Sequence, residues 1–198
     1  MSAAFCAPFS PSADWSAAPS LPLTPCVWSP HAPPAAQVQA LWQSDALLVR
    51  LFSSMPPARA VVTQDDGRVW EDSCLEFFFA DEGSGRYVNL EANANGALLA
   101  AVGESRRDRQ LLASLPLARP AVRSAPCGAG WEAVFRIPAT ALRTLFGLTL
   151  QPSLTLRVNA YACGDKTPSP YYAALFPVQT ESPDFHRPEF FGQLLLEA

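Results

Sequence analysis

Two alternating runs placed back to back constrain this chain more than any other feature. Residues 73–80 read Ser-Cys-Leu-Glu-Phe-Phe-Phe-Ala and residues 86–93 read Arg-Tyr-Val-Asn-Leu-Glu-Ala-Asn, with the turn-rich segment Asp81–Gly85 between them. Successive side chains of a strand leave on opposite faces. Leu75, Phe77 and Phe79 therefore share one face of the first run, and Val88, Leu90 and Ala92 share one face of the second. Two apolar rows on neighbouring strands turn inward together. Their alternates, Glu76 with Asn89 and Glu91, are expected on one common outer face. Asn95-Gly96 follows; both residues tolerate φ > 0, which predicts a type I′ hairpin into Ala97–Gly103.

Further strands are expected near residues 5–9, at Ala36–Trp42 and Ala46–Phe52 as a hairpin, within 61–69, and at Trp131–Ile137, Leu154–Cys163 and Phe190–Glu197. Pro138 opens a short helix through Phe146. Hairpin connections and the lack of βα alternation predict an all-β, mainly antiparallel two-sheet β-sandwich with one or two short helices. Twenty prolines against ten glycines, with 16% charged residues, argue against a helical bundle. The 198 residues suit a single domain, 1–198, whose Pro/Ala-rich arm at 1–35 packs on the body through Trp15, Trp28 and His31.

A net charge of −4 without any block of Lys or Arg excludes nucleic acid and anionic membrane as partners. No apolar run approaches the ~18–20 residues of a membrane span. The first twenty residues carry no Lys or Arg and no continuous apolar stretch, so no signal peptide is read there. Cys6, Cys26, Cys74, Cys127 and Cys163 are odd in number and form no CxxC pair, so they read as reduced thiols of a cytoplasmic protein, without a zinc-type spacing.

Polar groups stand on the faces opposite the apolar rows. They are Arg50 on the strand 46–52; Glu76, Asn89 and Glu91 on the central pair; and Arg157, Asn159 and Tyr161 on the strand 154–163. Planar hydrogen-bonding groups beside aromatic rings suit a neutral polyhydroxyl ligand, whose CH faces stack and whose hydroxyls donate and accept. The plainer alternative is a set of ordinary cross-strand pairs on a wet sheet.

Val69-Trp70-Glu71-Asp72-Ser73-Cys74-Leu75-Glu76-Phe77-Phe78-Phe79 resembles the V-W-x-D-[SD]-x-[VL]-E-x-F segment of carbohydrate-binding module family 9-like domains, of the DOMON-like β-sandwich superfamily. Arg86–Gly96 is similar to that family's Y-x-N-x-E-x-N-x-x-G hairpin, Gly130–Ala139 to its G-W-x-x-E-x-x-I-P segment with Val134 or Phe135 in place of the inner Glu, and Ser182–Gly192 to the P-x-F-H-x-P-x-x-F-G of bacterial single-domain members. The resemblance implies a non-catalytic carbohydrate binder in which Trp70 stacks on the sugar and Glu76 bonds its hydroxyls. Asp72 lies in the same segment, and Asn89, Glu91, Arg50, Arg157 and Asn159 complete the expected site. Six residues of strand span ~20 Å, so Trp70 and Glu76 meet one sugar only if Trp70 lies in a loop that folds back. No Trp follows Trp131, so Tyr161, Tyr171 or Tyr172 is expected to supply a second aromatic wall.

Four rival readings compete. A structural or protein-interaction sandwich would pair these polar groups with one another and leave no groove. A haem-binding DOMON domain would use Met55 with His31 or His186. A glycoside hydrolase would use Glu76 and Glu91. A serine hydrolase lacks the G-x-S-x-G elbow; Asp184 and His186 read instead as a loop anchor, with His186 bonding loop backbone. No cofactor is expected; Asp65, Asp66, Asp72, Asp81 and Glu82 are candidate oxygen ligands for a Ca²⁺ ion that stays unassigned.

Overall fold

The computed structural model describes residues 5–198. Among the described residues there are fourteen strands: β1 (Phe5–Ala7), β2 (Leu21–Pro22), β3 (Thr24–Pro25), β4 (Ala36–Trp42), β5 (Ala46–Ser53), β6 (Cys74–Ala80), β7 (Tyr87–Asn93), β8 (Leu98–Gly103), β9 (Arg109–Leu111), β10 (Ala121–Cys127), β11 (Gly130–Pro138), β12 (Thr155–Cys163), β13 (Tyr172–Ala174) and β14 (Gly192–Leu196). One α-helix, α1 (Ala139–Phe146), follows Pro138 as the sequence predicts and ends at Gly147, whose φ of +70° favours glycine. No helix among the described residues is long and apolar enough to cross a membrane.

The strands form two sheets. The larger runs β1-β14-β12-β6-β7-β8-β9, with β13 paired to β12 and β3 to β13; the smaller runs β10-β11-β5-β4-β2. The pairings between these strands are antiparallel except β1 on β14. Leu75, Phe77 and Phe79 of β6, Val88 and Leu90 of β7, and Val158 of β12 face Val49 and Leu51 of β5 and Phe135 and Ile137 of β11 in one core. The inward turn of the two apolar rows is therefore observed. Glu76 stands opposite Glu91, and Phe78 opposite Asn89, so Glu76 and Asn89 share the outer face.

Two local expectations fail for physical reasons, and one edge strand appears where none was expected. No strand forms within 61–69. Asp65 and Asp66 instead accept from the Leu98 and Ala100 amides, so side chains substitute there for a backbone ladder. The β7–β8 turn is not type I′, because Gly96 takes positive φ (+82°) and Asn95 does not. Asn93 organises that turn, its Oδ1 accepting from the amides of Asn95 and Ala97. The edge strand β10 has no counterpart among the expected strands; its Pro126 is tolerated because it sits at a sheet edge, where no ladder bond is lost.

Candidate functional site

The outer face of the large sheet is not a wet surface. Loops cover it, and a second cluster of buried rings lies beneath them, including Phe78, Tyr87, Tyr161, Phe185 and Phe191. The cover leaves a gap. Trp28, Trp70, Glu76, Glu91, Arg106, Arg109, Asp165, Tyr172 and His186 are among the residues around it, and the open space over its floor is about 520 Å³.

Trp70 reaches this cleft because residues 69–71 form a single 3-10 turn before β6 and do not extend the strand. Its carbonyl accepts from the Asp165 amide at 3.2 Å, and the Glu71 carbonyl accepts from Lys166 at 3.0 Å. Those bonds fold the turn back over the end of β12. The Arg68 guanidinium lies over the Trp70 ring at 5.6 Å. Trp70 and Glu76 therefore both line this cleft, the condition for their meeting one ligand.

The second indole comes from the N-terminal arm. Trp28 packs edge-on against Tyr172 (5.0 Å between centroids) and tilted against Phe185 (5.5 Å). The β3–β13 pairing, with the Cys26 amide donating to the Tyr172 carbonyl at 3.0 Å, holds the arm there. Trp28 Nε1 is buried without a hydrogen-bond partner among the described residues. Of the tyrosines expected to form a second wall, Tyr172 lines the cleft, whereas Tyr171 turns into the main core and Tyr161 lies under the floor, stacked on Phe185 at 4.0 Å.

The floor is acidic and dry. Glu76 and Glu91 are each 3% exposed and sit opposite one another across β6 and β7. Burial, and then the neighbouring Glu91 charge, raise the Glu76 carboxyl well above the usual carboxylate range. Burial pushes Glu91 up to about 7, against the opposing pull of Arg109 and of the Asn89 hydrogen bond. Asn89 Nδ2 donates to Glu91 Oε1 at 2.9 Å, and Asn89 Oδ1 stays buried without a partner. Arg109 lies 3.6 Å from Glu91 and 3.4 Å from His186 Nε2. Burial, with Arg109 and Arg106 nearby, lowers His186 to about 3, so the ring is neutral. With Arg109 donating to Nε2, the ring proton sits on Nδ1, 2.9 Å from the Tyr87 hydroxyl.

Several expected residues stand elsewhere. Arg50 belongs to β5 in the smaller sheet, where it pairs with Glu132 at 2.7 Å; the assumption that its strand joins the large sheet is corrected. Asp72 is fully buried behind the Trp70 turn, ion-paired with Arg59 through Oδ1 and accepting through Oδ2 from Asn93 and the Val61 and Val62 amides. Arg157 and Asn159 do face outward, but Arg157 donates to the Pro188 carbonyl and Asn159 bonds the Phe176 backbone through both ends of its amide. They fasten the covering loops. His186 bonds the Tyr87 side chain and not loop backbone, while Asp184 accepts from the His186 amide.

The rival chemistries lose their ligands in the same way. Met55 is exposed after β5, and His31 Nδ1 lies 3.1 Å from the Pro170 carbonyl. Arg119 occupies Asp65 and Asp66, and Ser84 occupies Asp81, so the acidic turns do not gather into a Ca²⁺ cage. Sequence reasoning missed Trp28, Arg106, Arg109 and Asp165. The one signal was a large ring in a Pro-rich arm with no pattern of its own; Arg106 and Asp165 lie in loops, and Arg109 opens a three-residue edge strand too short to show a period.

The sequence model of carbohydrate-binding family 9 matches residues 18–196. A candidate carbohydrate-binding protein from Bacteroides uniformis superposes with a TM-score of 0.81 at 27% identity, over 98% of this chain and 99% of that one. A family 9 carbohydrate-binding module from Caldicellulosiruptor kristjanssonii, in complex with glucose, superposes with a TM-score of 0.64 at 12% identity, over 97% and 94% of the two chains, a likeness of fold. The mouse UPF0462 protein C4orf33 homolog is 27% identical over 147 residues, 71% of this chain and 70% of its own.

Proposed function

Because the chain belongs to carbohydrate-binding family 9, we propose that its cleft holds one sugar ring, non-catalytically, between Trp28 and Trp70 and above Glu76 and Glu91. The observation that carries this reading is the convergence of two indoles, from the arm and from the turn before β6, over two buried carboxylates. A pyranose offers a CH face to an indole and hydroxyls to the floor. Glu76 and Glu91 accept hydrogen bonds from the hydroxyls; Arg106 and Arg109 donate. Asn89 orients Glu91, and Tyr161 supports the floor from below. Asp72, Arg157 and Asn159 act only by holding the turn and loops that shape the cleft.

The two glutamates leave the same sheet face side by side. A glycosidase needs its carboxylates to flank the scissile bond, one to protonate the leaving oxygen and one to attack or activate water. That arrangement favours binding over hydrolysis. The open cleft likewise favours a ligand over a purely structural sandwich. The five unpaired thiols fit a reducing compartment, and we place the chain in the cytoplasm.

Calorimetric titration with mono- and oligosaccharides tests the reading. A saturable heat is expected for at least one sugar, and Trp28→Ala and Trp70→Ala should each weaken it about tenfold or more, ~1.4 kcal/mol. Silence from the whole panel with folded wild-type protein would defeat it, as would tryptophan variants that bind like wild type.

A further inference from the structure

Beneath the cleft lies a cluster whose two thiols sugar binding does not require. Cys74 and Cys163 are direct partners in the β6–β12 register, and Glu76 is the next outward residue on β6. None of the three is more than 3% exposed. Cys163 Sγ donates to Glu76 Oε1 at 3.0 Å. The two sulfurs and a carboxylate oxygen all lie within 4.8 Å of one another. Cys163 and Glu76 line the cleft, whereas Cys74 is not among its lining residues.

The electrostatics around this cluster are one-sided. Arg109 and His186 approach Glu91, at 3.6 and 4.0 Å. Among the described residues no basic group forms an ion pair with Glu76, and Glu91 and Asp165 add acidic neighbours. A buried carboxylate whose nearby donor is a thiol, beside a second thiol, is a set of soft and anionic ligands without a cation.

We propose that Cys74, Cys163 and Glu76 form a three-donor site for a thiophilic divalent cation of the Zn²⁺ class, its fourth position opening into the cleft. Metal–sulfur bonds of ~2.3 Å and metal–oxygen bonds of ~2.0–2.2 Å in a tetrahedron place donors ~3.4–3.8 Å apart, so the present cluster needs to contract by ~1 Å or so. Both thiol protons, and any proton on Glu76, leave to solvent as the cation enters, so charge balances without an oxidant. Thiolates select such an ion over Mg²⁺ or Ca²⁺. The short spacings by which zinc sites are recognised in sequences are absent because strand register, not a local loop, joins these two cysteines. This inference stands apart from the sugar reading, although the two share Glu76.

The test is titration of the reduced 198-residue chain with Co²⁺. The expected result is a thiolate-to-cobalt charge-transfer band that saturates at one equivalent and is displaced by Zn²⁺. Cys74→Ser and Cys163→Ser each abolish it, Cys127→Ser keeps it, and Glu76→Gln weakens binding at least about tenfold, the cost that even outer-sphere partners command. Wild-type melting, which needs no variant to fold, should rise with equimolar Zn²⁺ and not with Mg²⁺. No band and no shift with free thiols, a band surviving the double serine variant, or a Cys74–Cys163 disulfide in the isolated protein would each overturn the site.

Discussion

Glu91 and His186 face each other across Arg109, and burial moves both toward their neutral forms, with opposite consequences for folding. Glu91 rises from 4.5 to about 7 in the folded chain, so its contribution to stability is greatest below 4.5 and is lost as pH climbs toward 7. His186 falls from 6.5 to about 3, so its contribution is present above 6.5 and is lost as pH drops toward 3. The two slopes oppose one another between 4.5 and 6.5. Glu91→Gln should uncover the histidine slope. Its stability relative to wild type is expected to grow as pH rises from 4.5 to about 7, by on the order of 3 kcal/mol at most. Urea melts of both proteins across that range check it, and a difference that stays flat with pH would show that Glu91 titrates normally. The slope of the difference separates this effect from any constant cost of losing the Asn89 hydrogen bond.

At the scale of elements, the site depends on short pieces that pack against long ones. The edge strand β9 holds Arg109 at the cleft by pairing with the end of β8, where Gly103 stands opposite Arg109. A Cβ on Gly103 would lie 1.8 Å from the Asp108 carbonyl and 2.8 Å from Arg109 Cα, both backbone, so the strand must move. Gly103→Ala is expected to cost about 1–3 kcal/mol of stability and to displace Arg109 from Glu91. A matching fall in sugar affinity should accompany it, read by the same titration, with faster amide exchange along β9. Unchanged affinity and exchange would mean that Arg109 is positioned by other contacts. The 3-10 turn at Trp70 works by the same logic, because its carbonyls bond the 164–166 loop and not a strand.

For the molecule as a whole, the N-terminal arm joins separate jobs. Phe5 and Ala7 enter the core as β1 pairs with β14, and Phe9 packs on Trp42 of the smaller sheet at 4.7 Å. The arm thus seams the two sheets at one edge before it delivers Trp28 to the cleft. A chain that begins at Leu21 loses the seam and keeps Trp28. Its denaturation midpoint should fall by an amount equivalent to at least ~3 kcal/mol, the cost of losing a buried Phe, while its sugar affinity changes little. Truncation that leaves stability intact, or that abolishes binding in a folded protein, would contradict this division.

Alternation and turn composition were enough to read the sandwich, the facing of Glu76 with Asn89, and most strand positions, because inward packing of apolar rows is a local rule applied strand by strand. The hairpin β4–β5 and the central pair β6–β7 follow from it, and helix α1 follows from Pro138. Short strands such as β3, β9 and β13 carry too few residues to show a period, and they exist because longer neighbours offer them edges. The same limit divided the site. Glu76 and Glu91 sit in patterned strands and could be picked out, and Trp70 came from the family resemblance, whereas Arg50 was misplaced because a face can be deduced from spacing and membership of a sheet cannot. Trp28, Arg109 and the pairing of Cys74 with Cys163 were decided by tertiary structure alone. Contacts between segments so far apart depend on which strands become neighbours, and that is settled by the packing of the whole core.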